Sequence, residues 1–178
     1  MLATIARTIL GLLLGLALWW GLNEPYNRFL AAVTEPLLRV AEPATRLIPV
    51  DGEMTIDRTD FGSGSPRPAL ATSQLTVNFI LLVALFAMNR KSLSTANVSA
   101  FLLASCILVV VHIAAIITNV ESIYALRLGP WSERHYGAFA RNFWGAAAHF
   151  YTLVGSFAAA FALWWVLSRR PRPADYNH

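Results

Sequence analysis

The stretch ANVSAFLLASCILVVVHIAAIITNV, residues 96–120, carries no Asp, Glu, Lys or Arg along its whole length. A helix rises 1.5 Å per residue, so about 20 apolar residues cross a hydrocarbon core roughly 30 Å thick. This segment therefore reads as a membrane span. Three further stretches qualify on either side of it. Residues 72–88 stop at Asn89-Arg90-Lys91, residues 4–22 hold Arg7 near one end, and residues 143–167 stop at Arg169-Arg170. The expected fold is an all-α membrane protein: one integral membrane domain over residues 1–178 with four transmembrane helices, amphipathic interfacial helices and a small strand-containing outer loop.

Composition agrees. Of 178 residues, 56% are hydrophobic and 13% charged, whereas soluble domains carry roughly 25% charged residues. The net charge of +4 and the pI near 9.7 do not gather into a basic face, so no nucleic-acid partner is expected. The single cysteine, Cys106, excludes an internal disulfide, and no Cys/His cluster has metal-ligand spacing. The exit of the first span, Ala17-Leu18-Trp19-Trp20-Gly21, lacks the small-x-small pattern of a cleaved signal. Paired tryptophans suit an interfacial anchor, so the span is expected to be retained.

Arginine and lysine set the orientation. Arg7, then Arg90 and Lys91, then Arg169, Arg170 and Arg172 fall on one side, with Asp175 the only acid among them. The two connections on the other side mix nine acids with eight arginines. Short basic segments stay in the cytoplasm, which places both termini inside.

The first outer connection, a cap over residues 23–71, has its own organisation. Apolar residues from Tyr26 to Ile48 fall at helical spacing, with Glu35/Arg39 and Glu42/Arg46 at i,i+4. Pro36 and Pro43 predict two short helices on the membrane surface. From Val50 to Asp57 the period changes to two, predicting one half-buried strand, with Gln74–Val77 as a partner strand. In the second connection Ser132 is a candidate N-cap. Tyr136, Phe139, Phe143 and Trp144 follow on one face of an interfacial helix, where an aromatic belt belongs. With Arg134 and Arg141 they form the candidate partner-contact surface. Arg127, Arg134 and Arg141 recur every seven residues, fitting either a headgroup-facing edge or an acidic partner.

Ionisable groups inside spans are functional candidates, which singles out His112 and His149 as candidate cofactor ligands. Gly145 and Leu153, four residues to either side of His149, make a setting that resembles the histidines of bacterial light-harvesting polypeptides, which ligate bacteriochlorophyll. A tetrapyrrole is the cofactor that resemblance implies. The plainer alternative is a neutral imidazole hydrogen-bonded to a neighbouring helix, with no cofactor. Cys106 sits near mid-bilayer, roughly 10 Å deeper than His149 by helical rise. A thiolate is disfavoured there, so it reads as a small packing residue and no catalytic residue is assigned. Gly11 and Gly15, and Gly155/Ala159 with Ser156/Ala160, let helix backbones approach closely, within the bundle or against a partner. Spans two to four hold no deep charge, which argues against ion-coupled transport.

The order of features resembles the small membrane proteins that accompany bacterial exosortases. That order is a tryptophan-ended first span, a strand-like loop, Thr76-Val-Asn78 leading into the second span, and an aromatic helix feeding the last. Exosortases look like cysteine transpeptidases using Cys, Arg and His. Cys106, one of Arg127, Arg134 or Arg141, and His149 are the residues that could stand in. Cys106 is followed by Ile107-Leu108 instead of the family's Ser-Gly, the interval to His149 is short, and the spans are few. The resemblance thus implies a non-catalytic accessory subunit in a bacterial inner membrane, partnered by lipid and by other integral membrane proteins. The alternatives are a pigment- or haem-associated subunit and an intramembrane thiol enzyme.

Overall fold

A computed structural model describes residues 2–62, 64–65, 67–89 and 92–168. Arg90, Lys91, Arg169, Arg170, Arg172 and Asp175, which carry most of the orientation reading, lie outside the described residues. The elements run α1 (Leu2–Ala41), β1 (Thr45–Val50), β2 (Glu53–Arg58), β3 (Ala69–Leu70), α2 (Thr72–Thr76), α3 (Asn78–Ala87), α4 (Thr95–Leu126), α5 (Pro130–His135) and α6 (Ala138–Phe150). A short π-helical segment (Tyr151–Gly155) and α7 (Ser156–Ser168) complete the described elements. The chain divides into two compact units: Met1–Gly21, Val77–Val110 and Ser156–His178 make the first, Leu22–Thr76 and Val111–Gly155 the second.

In the first unit the glycines of α1 meet α3. A Cβ on Gly11 would lie 2.6 Å from the Ala87 Cβ and 2.9 Å from the Ala84 Cα. On Gly15 it would lie 2.9 Å from the Ile80 carbonyl oxygen. As α1 advances, its contacts step backwards along α3, so the two helices run antiparallel. The small-residue motif is thus used inside the chain. Phe86 and Phe101 pack edge-on at 5.6 Å, and the Asn97 amide donates to the Ser92 and Phe86 carbonyls at 2.8 and 3.3 Å. These contacts close the α3–α4 hairpin. The Asn78 amide donates to the Ser156 carbonyl at 2.8 Å, satisfying a polar group with no exposed surface. Leu10, Leu13, Leu102, Val110, Phe157 and Val166 all remain exposed, as lipid-facing residues must.

In the second unit the later half of α1 turns Leu30, Ala31, Thr34 and Leu38 inward. The two short surface helices expected between Tyr26 and Ile48 are instead part of one helix that continues through Pro25 and Pro36. Each interior proline costs about 3 kcal/mol. Both prolines sit on the exposed side, where a helix can bend without disturbing its packed stripe. Burial of Leu30 and Leu38 at about 1.5–3 kcal/mol each offsets that cost. The helix ends at Ala41 because Pro43 disfavours a helical residue before it.

The single strand expected over Val50–Asp57 is a hairpin. Asp51 and Gly52 take positive φ (48° and 81°), the geometry of a two-residue type I′ turn between β1 and β2. The third strand is Ala69–Leu70, giving the order β1-β2-β3. Residues 74–76 are helical, because the Thr72 hydroxyl and the Ser73 N–H both donate to the Gly52 carbonyl and start α2 there. The open edge of β1 is covered by α1: the Leu47 N–H donates to Glu35 at 2.9 Å, and Arg39 Nε donates to the Thr45 carbonyl at 2.9 Å. Pro49 lacks an N–H altogether. Such covering blocks strand addition by another chain.

Three helical stretches, Thr4–Ala41, Thr95–Leu126 and Ala138–Ser168, are long and apolar enough to cross a membrane. The expected span 72–88 is not a fourth of that length. Val77 separates α2 from α3, and the 10 residues of α3 rise only about 15 Å.

Candidate functional site

Arg58 ends β2 with its side chain 7% exposed, and the second unit builds a polar cluster around it. One guanidinium nitrogen donates to Glu42 at 2.7 Å, while Nε and the other nitrogen donate to the two Asp60 oxygens at 3.0 and 2.9 Å. The guanidinium carbon lies 4.3, 5.0 and 5.3 Å from the ring centres of Trp131, Tyr124 and Phe61. Burial opposes the charge, but the bonds to Asp60 and Glu42 outweigh it and hold Arg58 above the usual arginine range. The same bond holds Asp60 below the usual carboxylate range. His135 stacks on the far face of this group, 4.2 Å from the Trp131 ring. A buried cation needs such partners, because each ion removed from water otherwise costs several kcal/mol.

Tyr136 connects to the cluster. Its backbone is extended at the end of α5 (φ −120°, ψ 118°), which turns the side chain away from α6. Its hydroxyl oxygen lies 3.0 Å from Glu42 and 2.8 Å from the buried Glu121. Burial, then its contacts with Glu121 and Glu42, push the phenol well above its ordinary range, so it keeps its proton. Tyr136 therefore does not share the exposed aromatic face assigned to it from sequence. Ser132 is no N-cap either. α5 starts at Pro130, where ring geometry suits the first helical position. The buried Ser132 hydroxyl instead donates to the Tyr124 carbonyl at 2.5 Å and accepts from the Leu128 N–H at 3.0 Å, tying α5 back to α4.

Of the two intraspan histidines, His112 is buried and its Nδ1 lies 2.7 Å from the Tyr26 hydroxyl, with the rings edge-on. That is the helix-to-helix hydrogen bond of the plainer reading. His149 is exposed on α6. Cys106 is exposed on α4 and is not the packing residue expected, because α4 turns Ala104 and Leu108 inward instead. Cys106 belongs to the first unit, and His149, Arg127, Arg134 and Arg141 to the second. Among the described residues, no three His, Cys, Asp or Glu side chains are grouped to hold a metal ion.

The remaining aromatics do form a face. Phe139 is 83% exposed and Phe143 52%, their rings stacked 6.3 Å apart, and Trp144 packs edge-on against Phe143 at 5.0 Å. Arg134 is exposed just before this face, its Nε donating to the Pro130 carbonyl, and Arg141 is half-buried within it. The sequence missed the Arg58 cluster. Its signal was Arg58-Thr-Asp60 beside an unassigned Trp131, residues that become neighbours only through the fold.

Three apolar helices, with only 11%, 28% and 17% of their most apolar windows buried within the chain, define a membrane protein carrying a small three-stranded sheet. No family model matches the chain, no curated protein matches it, and no solved structure matches its fold.

Proposed function

We propose that the chain is a non-catalytic accessory or assembly subunit of a larger bacterial inner-membrane complex, a companion of exosortase-like proteins. The observation that carries this reading is the exposed Phe139–Phe143 pair on α6, flanked by Arg134. The pair lies at the start of the last apolar stretch, where an aromatic belt meets the headgroups, and protein interfaces are likewise enriched in aromatic residues and arginine, so this face suits a membrane-embedded partner. Four crossings with both termini in the cytoplasm need the shorter apolar stretch Thr72–Ala87 to make the return crossing beside α1, to which α3 runs antiparallel, before α4 leaves and the last apolar stretch returns. The sheet-bearing connection then lies outside. Reporter fusions after residues 60, 92, 135 and 178 test this, and an outside signal at 92 or 178 would overturn it.

A second reading has its own observation. His149 presents an exposed imidazole on an apolar helical side, where a tetrapyrrole held with a neighbouring subunit could be ligated. Purification from native membranes in mild detergent, read by mass spectrometry and a visible spectrum, separates the two. A stoichiometric, colourless partner supports the accessory subunit, and co-purifying pigment lost in His149→Ala supports the ligand. The thiol-enzyme alternative requires that Cys106→Ala inactivate the protein, and retained activity would sink it.

A further inference from the structure

The contacts of Tyr136 contain more oxygen atoms than one phenol proton can serve. A hydroxyl donates once, and an ionised carboxylate only accepts. Tyr136 lies within hydrogen-bond distance of Glu42 and of Glu121 at once. If both acids were ionised, one of those contacts would set lone pair against lone pair in a buried site. Glu42 is fixed as the carboxylate by Arg58 at 2.7 Å. Glu121 is buried and, among the described residues, forms no ion pair.

We infer that Glu121 holds a proton and donates it to the Tyr136 oxygen, making Glu121–Tyr136–Glu42–Arg58 a directed chain and a pH-sensitive latch on the segment that leads into α6. Every group is then satisfied: Glu121 donates to Tyr136, Tyr136 donates to Glu42, and Arg58 donates to Glu42. Elements packed around the chain supply little further charge. From β2 and the loop after it come Arg58, already paired with Glu42, and Asp60, which shares the same guanidinium. From α1 come Glu35 and Arg39, paired together at 2.7 Å and bonded to the β1 backbone. From α4 comes Tyr124, whose hydroxyl meets Thr45 at 2.9 Å. From α5 comes His135, stacked on Trp131, with Glu133 and Arg134 exposed. When the proton leaves, two carboxylates face one hydroxyl and Tyr136 must release one of them. The α5–α6 junction is joined to Glu42 and Glu121 through that hydroxyl, so its hold loosens.

The sign follows from linkage. Unfolded, Glu121 gives up its proton near about pH 4.3. The folded chain keeps it, so stability falls as pH rises until the latch itself titrates. The test is infrared spectroscopy of the full chain in lipid bilayers, alongside thermal unfolding across pH. A protonated carboxylic-acid band is expected at neutral pH, lost in Glu121→Gln and lost in the wild type at alkaline pH. Glu121→Gln should also remove the decline of melting temperature with pH, because its amide N–H replaces the acid O–H. Absence of the band from the wild type, its survival in Glu121→Gln, or a parallel decline in both proteins would overturn the latch. If Glu121→Gln does not fold, the wild-type band and its loss on titration decide alone.

Discussion

Replacing Gly11 by alanine sets two effects of opposite sign against each other. Alanine stabilises a helix interior by about 0.8–1 kcal/mol over glycine. The new Cβ, however, would stand 2.6 Å from the Ala87 Cβ and 2.9 Å from the Ala84 Cα. Carbon atoms prefer about 3.5–4.0 Å, so α1 and α3 must separate by roughly 1 Å, and one of the two obstructing atoms is backbone. Overpacking of this kind costs about 1–3 kcal/mol. The net expectation for Gly11→Ala is a loss of up to about 2 kcal/mol, or about 4–8 °C at 2–4 °C per kcal/mol for a chain of this size. Gly21 lies in the same helix with nothing within 4 Å of its would-be Cβ, so Gly21→Ala should instead raise the melting temperature. The assay is thermal unfolding of both variants in one detergent, followed by tryptophan fluorescence. A Gly11→Ala protein that melts as high as Gly21→Ala would refute the close α1–α3 approach.

Arg58→Met should destabilise the sheet-bearing unit by about 3–5 kcal/mol, the usual cost of stranding a buried charge. Chemical denaturation reads this, and a loss under 1 kcal/mol would contradict the cluster. Asp60 is held below the usual carboxylate range by Arg58, so its contribution is present above about pH 3.9 and lost as pH falls through its folded value. Asp60→Asn should therefore flatten the acid limb of the stability profile, and an unchanged limb would deny the pairing. Tyr26→Phe removes the hydroxyl facing His112 and should cost about 0.6–2 kcal/mol, in the range of interhelical hydrogen bonds in membranes. A larger loss, or loss of a bound chromophore, would make His112 more than a packing residue.

The uncharged run 96–120 was enough to read the membrane class, because lipid forbids unpaired charge and rewards length. The small-residue motif of α1 announced close packing, but periodicity cannot say against which helix; the α3 backbone at Ala84 and Ile80 answers that. Pro36 misled, since a proline's cost is local and visible while the buried stripe that outweighs it is tertiary. Asp51-Gly52 carried a hairpin signal that the alternating pattern of Val50–Asp57 obscured. Tyr136 shares the helical spacing of Phe139 and Phe143, yet the extended backbone at Tyr136–Gly137 breaks that face and turns its hydroxyl inward. Arg58, Glu42 and Trp131 are too far apart in sequence for any pattern to join them.

The most direct test of the proposed function is co-purification from native membranes of the wild type and of a Phe139→Ala/Phe143→Ala double variant, read by quantitative mass spectrometry. These side chains are exposed, so the variant should fold and insert normally. The account predicts a stoichiometric integral membrane partner with the wild type, reduced at least tenfold in the variant, which corresponds to about 1.4 kcal/mol of lost binding. A wild-type protein that comes out alone, or a variant that keeps its partner in full, would contradict it.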